Sequence, residues 1–142
     1  METEVERLIR LALAARENAY APYSGFAVGA ALQAASGRIY TGANVENAAF
    51  SSTNCAERSA LFHAVSQGER AFVRIAIVGG PKGQAPESLC APCGVCRQCL
   101  LEFCDPKQFE CILAVSMEQY ERRSLEELLP LGFGPSSLQK GI

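Results

Sequence analysis

Phe26-Ala27-Val28-Gly29-Ala30-Ala31-Leu32-Gln33-Ala34 is an apolar run bounded by Gly25 before it and by Ser36-Gly37 after it. The run is too short for an ordinary helix, and it lacks the alternation of a strand with one face in water. It therefore reads as a strand buried on both faces. Gly37 turns the chain into Arg38-Ile39-Tyr40-Thr41-Gly42, a hairpin partner. Two further buried strands are expected at Val73 to Val78 and at Phe109 to Val115. Helical spacing runs from Val5 to Ala19, where Val5, Leu8, Ile9, Leu11, Ala12, Ala15 and Ala19 form one apolar face. Asn54 is placed to cap a helix from Cys55 to Gln67. Pro92 stands just before a helix from Gly94 to Phe103, and Ser124 to Leu129 forms a short helix. Residues 42–54 and 82–91 read as loops, and 132–137 as an extended tail. Buried strands alternating with helices imply an α/β layered domain, with the opening hairpin making its sheet mixed.

Composition bounds what such a domain does. The chain has 142 residues, enough for one domain spanning 1–142. With 49% hydrophobic and 20% charged residues, wholesale disorder is excluded. A net charge of -2 with three lysines argues against a nucleic-acid partner. No apolar run approaches the ~18–20 residues needed to span a bilayer, so no membrane partner is expected. The acidic start Met1-Glu2-Thr3-Glu4-Val5-Glu6 is unlike a secretory signal, so the expected address is the cytoplasm. Seven cysteines in a reducing compartment point to a metal site or a catalytic thiol rather than to disulfides.

Two cysteine motifs stand where loops become helices, Cys55-Ala56-Glu57 and Pro92-Cys93-Gly94-Val95-Cys96. Free N–H groups and the positive end of the helix dipole stabilise thiolates there. Cys93 and Cys96, at i and i+3, share a helix face, and Cys55 offers a third sulfur from another helix. Three thiolates suit one Zn²⁺ per chain and leave its fourth position to water, whose pKa zinc lowers by several units. Glu57, two residues after Cys55, can enter the same cavity as a proton carrier without binding metal. Arg58 and Arg97 are available to donate hydrogen bonds to sulfur and offset the negative charge of the centre.

These motifs carry the signature of zinc nucleobase deaminases in its three-cysteine form. Together with Tyr23-Ser24-Gly25-Phe26-Ala27-Val28-Gly29-Ala30-Ala31-Leu32, Asn44-Val45-Glu46-Asn47-Ala48 and Leu129-Pro130-Leu131-Gly132-Phe133-Gly134-Pro135, the chain resembles the small zinc-dependent cytidine deaminases along nearly its whole length. The resemblance implies a three-layer α/β/α sandwich around a mixed five-stranded sheet. It also implies deamination of cytidine and 2'-deoxycytidine in pyrimidine salvage, a nucleoside as small-molecule substrate, and a homotetramer with shared active sites. By that resemblance Cys55, Cys93 and Cys96 bind zinc and Glu57 shuttles the proton. Asn44 and Glu46 bind the ribose, the Ala56 backbone meets the pyrimidine edge, Phe26 stacks on the base, and Phe133 does so from a neighbouring subunit. Arg58 matches the family's thiolate-binding arginine. Phe50 stands where many members carry tyrosine.

Rival readings are a deaminase of a related aminopyrimidine nucleoside such as blasticidin S, and a non-enzymatic domain stapled by zinc or by an iron–sulfur cluster. The ladder Cys90, Cys93, Cys96, Cys99 approaches a cluster-binding run, but its last gap is one residue short and Leu100 follows in place of proline. His63 and Cys90, Cys99, Cys104 or Cys111 are possible fourth ligands of a closed site. His63 lies about two helical turns from Cys55, and Cys104 and Cys111 read as core.

Overall fold

In the computed structural model, which describes residues 1–138, the chain forms a three-layer α/β/α domain. Helix α1 (Glu4–Arg16) leads into the hairpin β1 (Phe26–Ala34) and β2 (Ile39–Ala43). A 3₁₀ turn at Phe50–Ser52 precedes α2 (Ala56–Ser66), then β3 (Phe72–Pro81) and α3 (Gly94–Leu101). The chain closes with β4 (Glu110–Ala114), β5 (Tyr120–Ser124) and the short helices α4 (Leu125–Leu128) and α5 (Pro135–Leu138). The strand order is β2-β1-β3-β4-β5; β3 and β4 are parallel and every other neighbouring pair is antiparallel.

Alternation along the central strands divides the core between the two faces of this sheet. Ala30, Leu32, Ile75, Ile77, Cys111 and Leu113 face α2 and α3 with Leu61 and Leu100. Ala31, Ala76, Val78, Ile112 and Ala114 face α1, against Val5, Leu8, Ile9 and Ala12. Two glycines set how closely the helices approach. A Cβ on Gly29 would lie 2.0 Å from the Ala12 carbonyl oxygen and 2.6 Å from the Arg16 amide nitrogen. One on Gly42 would lie 2.5 Å from the Ala60 amide nitrogen and 2.6 Å from the Ala56 carbonyl oxygen. Gly29→Ala is therefore expected to push α1 off the sheet and cost about 3 kcal/mol, the upper range for overpacking. Chemical denaturation measures this directly, with an unchanged midpoint as the contrary result.

The expected elements are present, with shifts of one to three residues at the ends of β3, α3 and β4 and four larger differences. Helix α1 starts earlier and stops earlier than the Val5–Ala19 spacing suggests, because Thr3 closes a capping box with Glu6 at one end and Ala19 lies beyond the last turn. Cys55, not Asn54, is the N-cap of α2; the Asn54 side-chain Nδ2 donates instead to Ser59 Oγ at 3.1 Å. The tail expected to be extended turns helical at Pro135–Leu138.

The fourth difference is β5, Tyr-Glu-Arg-Arg-Ser, which carries no apolar alternation because it is an exposed edge. A polar ladder across the sheet helps hold it. Gln33 Nε2 donates to Glu4 at 2.6 Å and Arg74 Nη1 to Gln33 at 2.8 Å. Arg74 Nε lies 3.5 Å from Glu110, to which Arg122 Nη2 donates at 3.0 Å.

Candidate metal centre and active site

Helices α2 and α3 begin side by side, each with a cysteine as N-cap and neither with a side chain capping its first turn. Free N–H groups and two positive dipole ends thus converge on the same sulfurs. The Cys55 and Cys93 Sγ atoms lie 3.7 Å apart and those of Cys93 and Cys96 3.5 Å apart, with all three within 4.8 Å of one another. Zn–S bonds of about 2.3 Å in a tetrahedron separate sulfurs by roughly 3.8 Å. The cluster thus fits zinc in both donor type and spacing. Among the described residues it has three members: Cys90, Cys99, Cys104, Cys111 and His63 stand outside it, so these residues supply neither the fourth ligand of a closed site nor the ladder of an iron–sulfur cluster.

Arg58 Nη2 donates to Cys55 Sγ at 3.3 Å, while Arg58 Nε is buried without a partner, which leaves donor capacity for further thiolate charge. The neighbouring Cys96 thiol and then Arg58 hold the Cys55 thiol down at about 5; Cys96, hydrogen-bonded to Cys55 and buried, is pushed up. Arg97 does not reach sulfur as expected. Its Nε donates to the Pro92 carbonyl at 2.7 Å and its Nη1 to the Leu128 carbonyl at 2.6 Å, so its reach is spent holding the loop and α4 against α3.

Glu57 follows in the first turn of α2, only 4% exposed. Burial, with the charge of Cys55 adding to it, pushes its carboxyl up to about 7. Ala56 beside it is fully buried. Cys90 lies under the same region: burial first, then the charges of Glu57 and Cys55, push its thiol up to about 11. Burial raises Cys104 and Cys111 to about 12, as expected of core thiols.

The remaining candidates fall in two places. Asn44 is buried, and its amide is used on β1: Oδ1 accepts from the Val28 N–H at 2.8 Å and Nδ2 donates to the Phe26 carbonyl at 2.8 Å. One amide hydrogen and one lone pair remain for a ligand. Glu46 accepts from the N–H groups of Tyr23 and Ser24 at 2.9 and 3.1 Å and from the Ser24 hydroxyl, contacts that hold its carboxyl below the usual range. Tyr23, Ser24, Glu46, Phe50 and Thr53 line a cavity of about 360 Å³, the scale of a small-ligand site. Neither Tyr23 nor Ser24 is assigned a site role by sequence, because two of the three donors to Glu46 are backbone N–H groups, which leave no mark in residue type. Phe26 stands half-exposed at the start of β1. Phe133 lies against α3, its carbonyl accepting from Gln98 Nε2 at 2.7 Å and its side 61% exposed.

Comparison with known proteins agrees with this geometry. The family described as the cytidine and deoxycytidylate deaminase zinc-binding region matches residues 2–112. The chain is 45% identical to the cytidine deaminase of Sporosarcina psychrophila over 95% of each chain. It is also 45% identical to that of Halalkalibacterium halodurans, over 90% of this chain and 92% of that one. A cytidine deaminase structure from Burkholderia pseudomallei superposes with a TM-score of 0.78 at 46% identity, covering 89% of this chain and 97% of the other. One from Mycobacterium tuberculosis gives 0.78 at 38%, covering 94% and 99%. Motifs, fold and three-sulfur cluster agree, and the chain belongs to the cytidine and deoxycytidylate deaminase zinc-binding family.

Proposed function

We propose that this protein hydrolyses the C4 amine of cytidine and 2'-deoxycytidine, giving uridine or 2'-deoxyuridine and ammonia. The observation that carries the reading is a three-sulfur cluster with no fourth protein ligand among the described residues, beside a carboxylate buried in the first turn of the same helix. Cys55, Cys93 and Cys96 hold the zinc, which when bound supplies a Lewis acid that makes water nucleophilic near neutral pH. Glu57 takes the proton that water gives up, passes it to N3 of the cytosine, and assists departure of the amine. Its burial keeps bulk water out of that transfer. Arg58 offsets thiolate charge.

Phe26 and Phe133 stack on the base, the Ala56 backbone meets its edge, and Asn44 and Glu46 receive the ribose hydroxyls with the capacity their own contacts leave free. The exposure of Phe133 supports its delivery into a neighbouring subunit's site within a homotetramer. None of the seven cysteines is paired in a disulfide among the described residues, which is consistent with a cytoplasmic address. Among the described residues no helix is long and apolar enough to cross a membrane.

Purified protein carrying about one zinc per chain is expected to lower the ultraviolet absorbance of cytidine as uridine forms. Zinc without turnover overturns the substrate reading. Light scattering on the same sample tests the assembly, and active monomers overturn it.

A further inference from the structure

Arg16, in the last turn of α1, is 8% exposed, and among the described residues no carboxylate lies within ion-pair distance of its guanidinium. Burying an unpaired charge costs free energy that an apolar side chain would not. Part of the compensation comes from the negative end of the α1 dipole. The rest is three backbone carbonyls: Nε donates to Ala27 at 2.9 Å, and Nη2 to Gly80 at 3.0 Å and Pro81 at 2.7 Å.

Those carbonyls belong to one place in the sheet. Ala27 pairs with Gly80 and Phe26 with Pro81, at the start of β1 and the end of β3. Asn44 holds the Phe26 carbonyl and the Val28 N–H, so backbone groups of three successive residues of β1 are fixed by side chains of α1 and of the residue that follows β2. The next residue of β3, Gly79, has no side chain, and the Phe26 ring fills that space beside Cys90. A Cβ there would stand 3.1 Å from Phe26 Cε2 and 2.8 Å from Cys90 Sγ. Movement between β1 and β3 at this end carries the Phe26 ring with it.

We propose that Arg16 is a positioning residue of the nucleoside site, fixing the register and separation of β1 and β3 so that the Phe26 ring keeps its place over Gly79. The inference rests on the reading of Phe26 as the ring that stacks on the base. Arg16 touches no substrate; it acts through the strand ends.

The test is a double-mutant cycle between Arg16 and Phe26, read as KM and kcat for cytidine and as the calorimetric dissociation constant of uridine, which binds without reacting. Arg16→Met is expected to raise KM and the uridine constant about tenfold, within the range of coupling between contacting groups, with kcat within about twofold and zinc unchanged. In a Phe26→Ala background the same substitution is expected to change neither constant by more than about twofold. Arg16→Lys, with fewer donors, falls between. If Arg16→Met does not fold, the cycle is run with Arg16→Lys, and a smaller effect after Phe26 is removed supports the proposal. Equal losses in both backgrounds overturn it, as does a fall in kcat at constant KM. If Phe26→Ala alone leaves the uridine constant unchanged, the stacking assignment fails and the proposal with it. Wild-type protein inert toward cytidine overturns the proposed reaction instead.

Discussion

Glu57→Gln is expected to lose on the order of 10³- to 10⁴-fold in kcat while keeping zinc, fold and melting temperature, the upper range for a lost general acid–base group. The amide has nearly the shape of the carboxylate, so the first turn of α2 has no packing reason to change. A glutamine carries no proton that it can both accept and give, so N3 protonation and amine departure both suffer. Burial makes the effect larger than at a surface position, because water cannot easily stand in for a carboxylate that is 4% exposed. Stability is expected to hold or rise, since a buried carboxyl with a raised pKa is costly to ionise and the amide is not. A turnover number within tenfold of wild type removes the proton-shuttle role. A lost zinc signal with lost activity would move Glu57 from proton carrier to structural support of the cluster.

Stripping zinc with a chelator is expected to abolish turnover and to lower the melting temperature by about 10 °C at a hundredfold excess of metal over its dissociation constant. Most of the two cores is strand residues packed on α1, α2 and α3 at a distance in sequence from the three cysteines, so the apoprotein should remain folded rather than collapse as a zinc finger does. Cys96→Ser should mimic the loss, because the fully buried Cys96 sulfur has no substitute within the cluster. Cys99→Ser is the control, since Cys99 lies outside the three-sulfur group. Metal analysis and a thermal melt on each sample decide the matter. Retained zinc in Cys96→Ser, or lost zinc in Cys99→Ser, means the ligand set is misassigned.

The parts legible in sequence are those where residue type states its own environment. Residues 26–34 read as a doubly buried strand because both faces of the sheet are covered, by α1 on one side and by α2 and α3 on the other. Cys55, Cys93 and Cys96 read as one site because thiols at helix starts and at i, i+3 spacing leave few other interpretations. Strand β5 was invisible for the opposite reason, since an exposed edge carries charge rather than pattern. Arg97 shows the limit of adjacency. Standing next to a ligand in the chain, it points its guanidinium at the carbonyls of Pro92 and Leu128, and Arg58 takes the sulfur.

Sequence by itself determined the layered α/β class, the three sulfurs and the carboxylate beside them, since burial patterning and ligand chemistry are local properties of residue type. Only the tertiary structure decided which arginine serves the thiolates, that Tyr23 and Ser24 hold Glu46 through their backbones, and that Arg16 is buried against strand carbonyls. Main-chain groups, which every residue possesses and no residue name reports, take part in each: carbonyls hold the Arg97 and Arg16 guanidiniums, and N–H groups hold Glu46.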